Sequence, residues 1–417
     1  MSHTSRNIHI IGAGISGLVA ALVLEEHGYT PTILEASNSI GGRIQTDIID
    51  GYQLDRGFQV LLTAYPAAQK YLDYNALELQ PLLSGAAIFK NENFKIYGDG
   101  LRDISLLLPT LLSGIGTFSD QFKLLRLHTY LQRKSLREIF ETKEQTTLTY
   151  LKNYGFSDAL IKDFFKPFFS GIFLETDLET SSRMFEFVYK MFGEGQTAIP
   201  KDGMGAIPKQ LFERLKNTKI VFNSPVRVVT NSQITLEDDS ILQTDFTVIT
   251  ANPEHLINNL KNQEVRWKAS DTFYFQVPKK ILRKPLIGLV PHKQSLINNL
   301  FYPTSIKTTH RNSPHLLSVT VVDNQSLTNS DLINAVTNEL QTLCGITVGR
   351  CIQHYHIPKS LPKLANLQYE QAPSETRLTE SIFLAGDIQL NSSLNAAILA
   401  GEKAALGVIE SIENTIV

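Results

Sequence analysis

Gly12, Gly14 and Gly17 stand in a GxGxxG spacing within "IIGAGISG". Each glycine has a physical task. Gly12 permits a tight turn, Gly14 lets a pyrophosphate reach the backbone, and Gly17 lets a helix pack closely on a strand. The apolar run Ile8–Ile11 before them reads as a buried parallel strand. Ile15 and Ser16 open the helix that follows, where free N–H groups and a partial positive charge favour phosphate. Gly28 ends that helix, and a second strand delivers Glu35 and Ala36 to its tip. Glu35 follows Gly12 by 23 residues, close to the usual place of an acid that binds ribose hydroxyls. Strand, glycine turn, helix, strand and acid in this order predict a dinucleotide site. Gly41 and Gly42 then allow another close backbone approach, and Arg43 can bring a fixed cation to a pyrophosphate.

A second loop of this kind lies near the other end, in "FLAGDIQLNSSLNAAILAGEKAA". A strand delivers Gly386 and Asp387 to its tip, where ligands bind in open α/β sheets. Asp387 also suits a helix N-cap. Ser392, Ser393, Ala396, Ala397, Ala400 and Gly401 crowd the following helix start around Leu394 and Asn395. Small residues there leave room for a large body near the backbone.

Other chemistries find little support. HExxH, GxSxG and P-loop patterns are absent from the sequence. His354 and His356 would share one face of a strand, but no third ligand is visible, so no metal is expected. Cys344 and Cys351 lack CxxC spacing and read as inert thiols in a reducing compartment. The formal net charge of −2 gives no reason to expect a nucleic-acid partner. "MSHTSRN" carries no basic n-region or apolar h-region before the first strand. The expectation is a cytoplasmic protein.

Three stretches, "IIGAGISGLVAALVLEEHG", "LEASNSIGGRIQT" and "FLAGDIQLNSSLNAAILAGEKAA", together resemble the superfamily of FAD-dependent amine oxidases, protoporphyrinogen oxidases and phytoene desaturases. The resemblance implies that the first motif holds the ADP half of FAD and that Arg43 contacts the diphosphate. It implies that Gly386, Asp387, Ser393, Leu394, Asn395 and Ala397 hold the diphosphate, the ribityl chain and the flavin edge. By the same resemblance Gly57, Phe58 and Gln59 pass close to the flavin ring, and Val226 lies on the adenine through its backbone. Asp55 and Arg56 read as a structural pair. The C-terminal motif contains no cysteine or histidine, so FAD is expected to be non-covalent.

The elements that position these residues make an α/β protein: a Rossmann-like FAD-binding domain with a second, mixed α+β substrate domain. The first is discontinuous, drawn from residues 1–62, 199–259 and 366–417. The second takes residues 63–198, expected mainly helical, and 260–365, expected mainly sheet. Seven phenylalanines between Phe164 and Phe187 supply core, with some expected to line an apolar pocket beside the flavin.

The chemistry is expected to be the flavin's, and no catalytic side chain is singled out. Amine oxidases of the superfamily carry a lysine on a substrate-domain strand and an aromatic cage near the C-terminal motif. Lys268 reads as lying before its strand, out of register, and "IQLNSSLN" supplies no aromatic residue. The favoured substrate is therefore small, lipophilic and unsaturated, with the electron acceptor left open. An amine oxidase, or a non-catalytic FAD-binding protein, are the alternatives. Residues 104–137 join an apolar run, interrupted by Pro109, to a basic one. Two readings stay open there: packing with a solvated cationic face, or peripheral contact with an anionic membrane.

Overall fold

The computed structural model describes residues 6–100, 103–258, 260 and 265–415. Short apolar runs far apart in the chain lie side by side in it. Ile8–Ile11 sits between Thr32–Leu34 and Phe246–Ile249, with Lys219–Val221 and Ile382–Leu384 at the edges. Every pairing is parallel. Ile10, Ile33, Val248 and Phe383 are fully buried, as strands covered on both faces require.

Helices Ile15–Glu26 and Leu394–Thr415 pack closely against each other. A Cβ on Gly401 would lie 2.3 Å from the Ser16 carbonyl oxygen. Ser16 Oγ also donates to the Ala397 carbonyl at 2.7 Å. Ala396, Ala400 and Ala404 are fully buried. The run of small residues therefore divides. Gly401 admits the first helix, and only the earliest residues of the run face open space. The expectation that the whole run admits a ligand is corrected here.

A seven-stranded sheet stands opposite. Its order is Cys351–Lys363, Arg266–Val277, His315–Val321, Ile297–Phe301, Ile287–Leu289, Gly85–Lys90, Asn93–Gly98. Its last two strands come from the stretch read as mainly helical. Ala86, Ala87, Ile88 and Phe89 are all buried. The hairpin turns at Asn91 and Glu92, with φ of 50° and 64°, the left-handed values a tight hairpin needs. Without Gly or Pro at the turn, that hairpin left a weak local signal.

Helices fill most of 104–194. The helix Ile104–Leu112 runs through Pro109, so the proline does not break the segment. Phe118–Arg133 begins at a capping box made by Thr117 and Asp120, which satisfies two otherwise free N–H groups. Lys166–Phe173 and Ser182–Glu194 pack around Phe165, Phe169, Phe185 and Phe187, all buried. Among the described residues no helix is long and apolar enough to cross a membrane.

Candidate functional site

A cavity of about 790 Å³ lies between the two sheets. One end is built largely from backbone. The helix Ile15–Glu26 starts at Gly14 with no side-chain cap, which leaves its first N–H groups for a ligand. Gly14 runs beside Gly41, and Gly41 N–H donates to the Ala13 carbonyl at 2.9 Å. A Cβ on Gly14 would meet nothing within 4 Å, so that side is open. A Cβ on Gly17 would lie 2.0 Å from the Gly12 carbonyl oxygen. Gly17 serves packing and does not line the cavity.

Glu35 is buried. Its Oε2 accepts from Ala13 N–H at 2.7 Å, and its Oε1 from the Ser37 N–H at 2.8 Å and the Ser37 hydroxyl at 2.7 Å. These bonds aim the carboxylate at the glycine turn and leave about one of its roughly four acceptor sites free. Arg43 forms an ion pair with Asp387 and lies 5.3 Å over the Trp267 ring. Ser393 Oγ accepts from Ala396 N–H at 3.0 Å and donates to Asn391 at 2.7 Å. It thereby caps the second helix.

The structure brings most of the candidate residues to this one cavity. Gly12, Gly14, Ile15, Ser16, Glu35, Gly41, Gly42 and Arg43 line it. So do Gly57, Phe58, Gln59, Gly386, Asp387, Ser393, Leu394 and Ala397. Gly17, Ala36, Val226 and Asn395 do not. Asn395 is buried, and its side-chain oxygen accepts from Ala67 N–H at 2.9 Å. It joins the C-terminal helix to the helix Pro66–Tyr71.

The far end of the cavity is different. Ile172, Phe168, Phe173, Met184, Val188 and Phe192 make an apolar wall. Of the seven phenylalanines, Phe168 and Phe173 reach the cavity, and the others pack core. The floor is the sheet. Thr272, Thr320 and Asn299 stand opposite one another on three adjacent strands and face the cavity. The Thr272 and Thr320 hydroxyls are buried without a partner. The Asn299 amide donates to the Asn298 side-chain oxygen at 2.9 Å.

Lys268 lies within its strand, not before it, because Arg266–Val277 begins two residues earlier. Lys268, Ser270 and Thr272 alternate with Asp271 and Phe273, so they share the cavity face. Its amine is fully engaged. It donates to the Phe173 carbonyl at 2.8 Å, Glu175 Oε2 at 2.7 Å and Thr180 Oγ1 at 3.2 Å. Sequence reasoning missed this floor. The period-2 pattern of "KASDTF" carried the signal, and the strand start was placed too late.

The family of flavin containing amine oxidoreductases matches residues 15–409. The chain belongs to that family. The chain is 30% identical over 173 residues to an L-amino-acid oxidase of Naja atra, covering 38% of this chain and 31% of that one. It thus spans about a third to half the length of the curated relatives it matches. Its structure is similar to an oxidoreductase from Methanosarcina mazei, with a TM-score of 0.72, 15% identity and coverage of 97% and 100% of the two chains. Cyclohexylamine oxidase from Brevibacterium oxydans gives 0.69 at 15% identity, covering 98% and 100%. At such identity these likenesses show the fold.

Membership in the family implies a flavin cofactor, and the cavity fits FAD. The uncapped helix start and the open face at Gly14 suit a diphosphate. The buried Glu35 suits a ribose, and the cavity continues from this cradle past Gly57 and Phe58 into the apolar end.

Three further features concern titratable groups. Asp55 and Arg56 are not a pair. Arg56 binds Asp47 at 2.8 and 2.9 Å, whereas Asp55 accepts from Thr46 Oγ1 at 2.5 Å and Met204 N–H at 2.9 Å. Burial pushes the Asp55 carboxyl up to about 6, against the pull of those hydrogen bonds. His354 and His356 do share a strand face, and both bind Asp271 Oδ1, at 2.6 and 3.0 Å. Burial raises the Asp271 carboxyl, but these histidines outweigh it and hold it below its ordinary value. Among the described residues no group of three or more side chains could hold a metal ion. Cys344 is buried, Cys351 half-buried, and both are free.

Proposed function

We propose that the protein binds FAD non-covalently and oxidises an uncharged, lipophilic substrate at the apolar end of the cavity. The observation that carries this reading is the state of the charges there. Glu175 is paired with Lys268 at 2.7 Å, Glu179 with Lys363 at 3.6 Å and Glu144 with the neighbouring Arg183 at 3.3 Å. Arg43 and Asp387 pair with each other. Among the described residues that line that half, a substrate ammonium finds no unpaired carboxylate, and a substrate carboxylate finds no unpaired cation. Buried charges need such partners. A neutral molecule needs none, and the wall of Phe168, Phe173, Met184 and Phe192 suits it.

The chemistry a bound flavin supplies is acceptance of a hydride or electron pair from a substrate C–H bond. The chain's own residues position and enclose. The apolar wall excludes water. No cysteine or histidine lines the cavity among the described residues, which supports non-covalent binding. Tyr65 lines it too, but burial pushes its phenol well above the ordinary value and keeps it protonated.

Denaturing the purified yellow protein should release intact FAD. Anaerobic mixing with a neutral polyene or tetrapyrrole should then bleach the flavin. Peroxide release with polyamines, and no bleaching by neutral lipophiles, would replace this reading with amine oxidation. A flavin that none of these compounds bleaches would favour a non-catalytic role.

A further inference from the structure

Seven of the twelve large hydrophobic side chains exposed among the described residues fall between Leu107 and Tyr130. Phe118 is 88% exposed, Leu112 73% and Phe122 69%. Phe118, Phe122 and Leu125 stand one above another on the helix Phe118–Arg133, at spacings that share a face. Leu108 and Leu112 do the same on the preceding helix. Water contact on so many neighbouring apolar side chains marks an interaction surface.

The charges beside this ridge select the occupant. The segment from Gln121 to Arg137 carries five cations and no acid. Three of the cations are engaged within the fold. Lys123 donates to the Gly155 carbonyl, Lys134 pairs with Glu186 at 2.6 Å and Arg137 with Glu370 at 2.6 Å. The basic run is thus weaker than its sequence suggests. Arg126 and Arg133 have no acidic partner among the described residues, and they share a shallow groove with Phe122, Leu125, Tyr130, Lys134 and Glu138, the last engaged by the Ser135 N–H and hydroxyl. A ridge of aromatic and leucine side chains flanked by two unpaired arginines complements a bilayer surface that offers acyl chains beneath anionic headgroups. The surface also lies close to the cavity. Phe118–Arg133 packs on Ser182–Glu194, and that helix supplies Met184, Val188 and Phe192 to the apolar wall.

We infer that the helices Ile104–Leu112 and Phe118–Arg133 dock the protein on an anionic membrane. Phe118, Phe122 and Leu112 enter the headgroup region, and Arg126 and Arg133 meet the lipid anions. The docking does not depend on the identity of the substrate, and its test uses none.

The test is sedimentation of the full-length, flavin-loaded protein with vesicles of phosphatidylcholine alone or mixed with phosphatidylserine. The protein is expected to pellet with the mixed vesicles and to be released by salt. Phe118→Ser with Phe122→Ser should lower binding at least about tenfold. Arg126→Gln with Arg133→Gln should lower it about fivefold per charge on mixed vesicles only. These side chains are exposed, so flavin content and melting temperature should match the parent and report intact folding. Failure to pellet with either vesicle at low salt overturns the inference. So does binding that both double variants leave unchanged. A concentration-dependent dimer that the phenylalanine variant dissolves, without vesicle binding, would assign the face to a second copy and overturn it as well.

Discussion

The two ends of the cavity solve different problems with different parts. The cradle end presents backbone: glycines at Gly12, Gly14, Gly41 and Gly42, and two helix starts. The chamber end presents side chains: phenylalanines on helices, and threonines and an asparagine on a sheet. Backbone donors are the same in every protein and suit a ligand of fixed shape. Side chains can be exchanged without moving the strands that carry them. A constant cofactor and a variable substrate are separable in this way, and the cost of changing the second need not fall on the first.

Gly14 offers the sharpest way to break the comparison. A Cβ there meets no protein atom within 4 Å, so Gly14→Val should fold, yet it fills the space open to a diphosphate. The protein should purify colourless, with a melting temperature that matches the parent stripped of FAD. Gly17→Val should instead fail to fold, because its Cβ would collide with the Gly12 carbonyl at 2.0 Å. A yellow, stable Gly14→Val protein would remove the backbone from the account of binding.

Lys268 tests the chamber. Losing one partner of a buried ion pair costs about 3–5 kcal/mol, so Lys268→Met should lower the urea midpoint strongly. Replacing Glu175 by Leu in the same protein should recover much of the loss. An amine that acts in the chemistry predicts a different result: turnover lost with stability intact.

Glu35→Ala should weaken FAD retention by about 1.5–3 kcal/mol, the worth of hydrogen bonds to a charged group. Equilibrium dialysis against FAD measures it. The chamber should be untouched, so a substrate-induced flavin spectrum at saturating FAD should match the parent.

Asp55, which holds Thr46 and Met204 beside the Gly57 turn, should act on stability and not on cofactor binding. Its carboxyl titrates at about 6 in the folded protein and near 3.9 when unfolded. A raised acid stabilises the fold while protonated. Its contribution is present below about pH 4 and is lost as pH rises through about 6. Asp55→Asn should flatten thermal stability across that window. A parent whose stability rises from pH 4 to 6 by the amount the variant lacks would reverse the sign.

Much of the cradle was legible because its demands are local. Tight turns and close approaches admit few residue types, and those types recur at short spacing. Gly12, Gly14, Glu35, Arg43, Gly386 and Asp387 could be named before any fold was known, and all line one cavity. The parallel sheet was legible for a similar reason, since its short apolar runs are continuous.

The chamber was not legible in that way. Its floor depends on which strands lie side by side, and Thr272, Thr320 and Asn299 are remote in sequence. Its neutrality depends on pairs such as Lys268 with Glu175, 93 residues apart. The same holds for the small residues near the C-terminus. Composition showed that something approaches them closely, but only packing decided that Gly401 meets the first helix while Ser393 and Ala397 face the cavity. Local sequence determines what a backbone can do. Which side chains meet across a cavity is set by contacts between distant segments, and those exist only once the chain has folded.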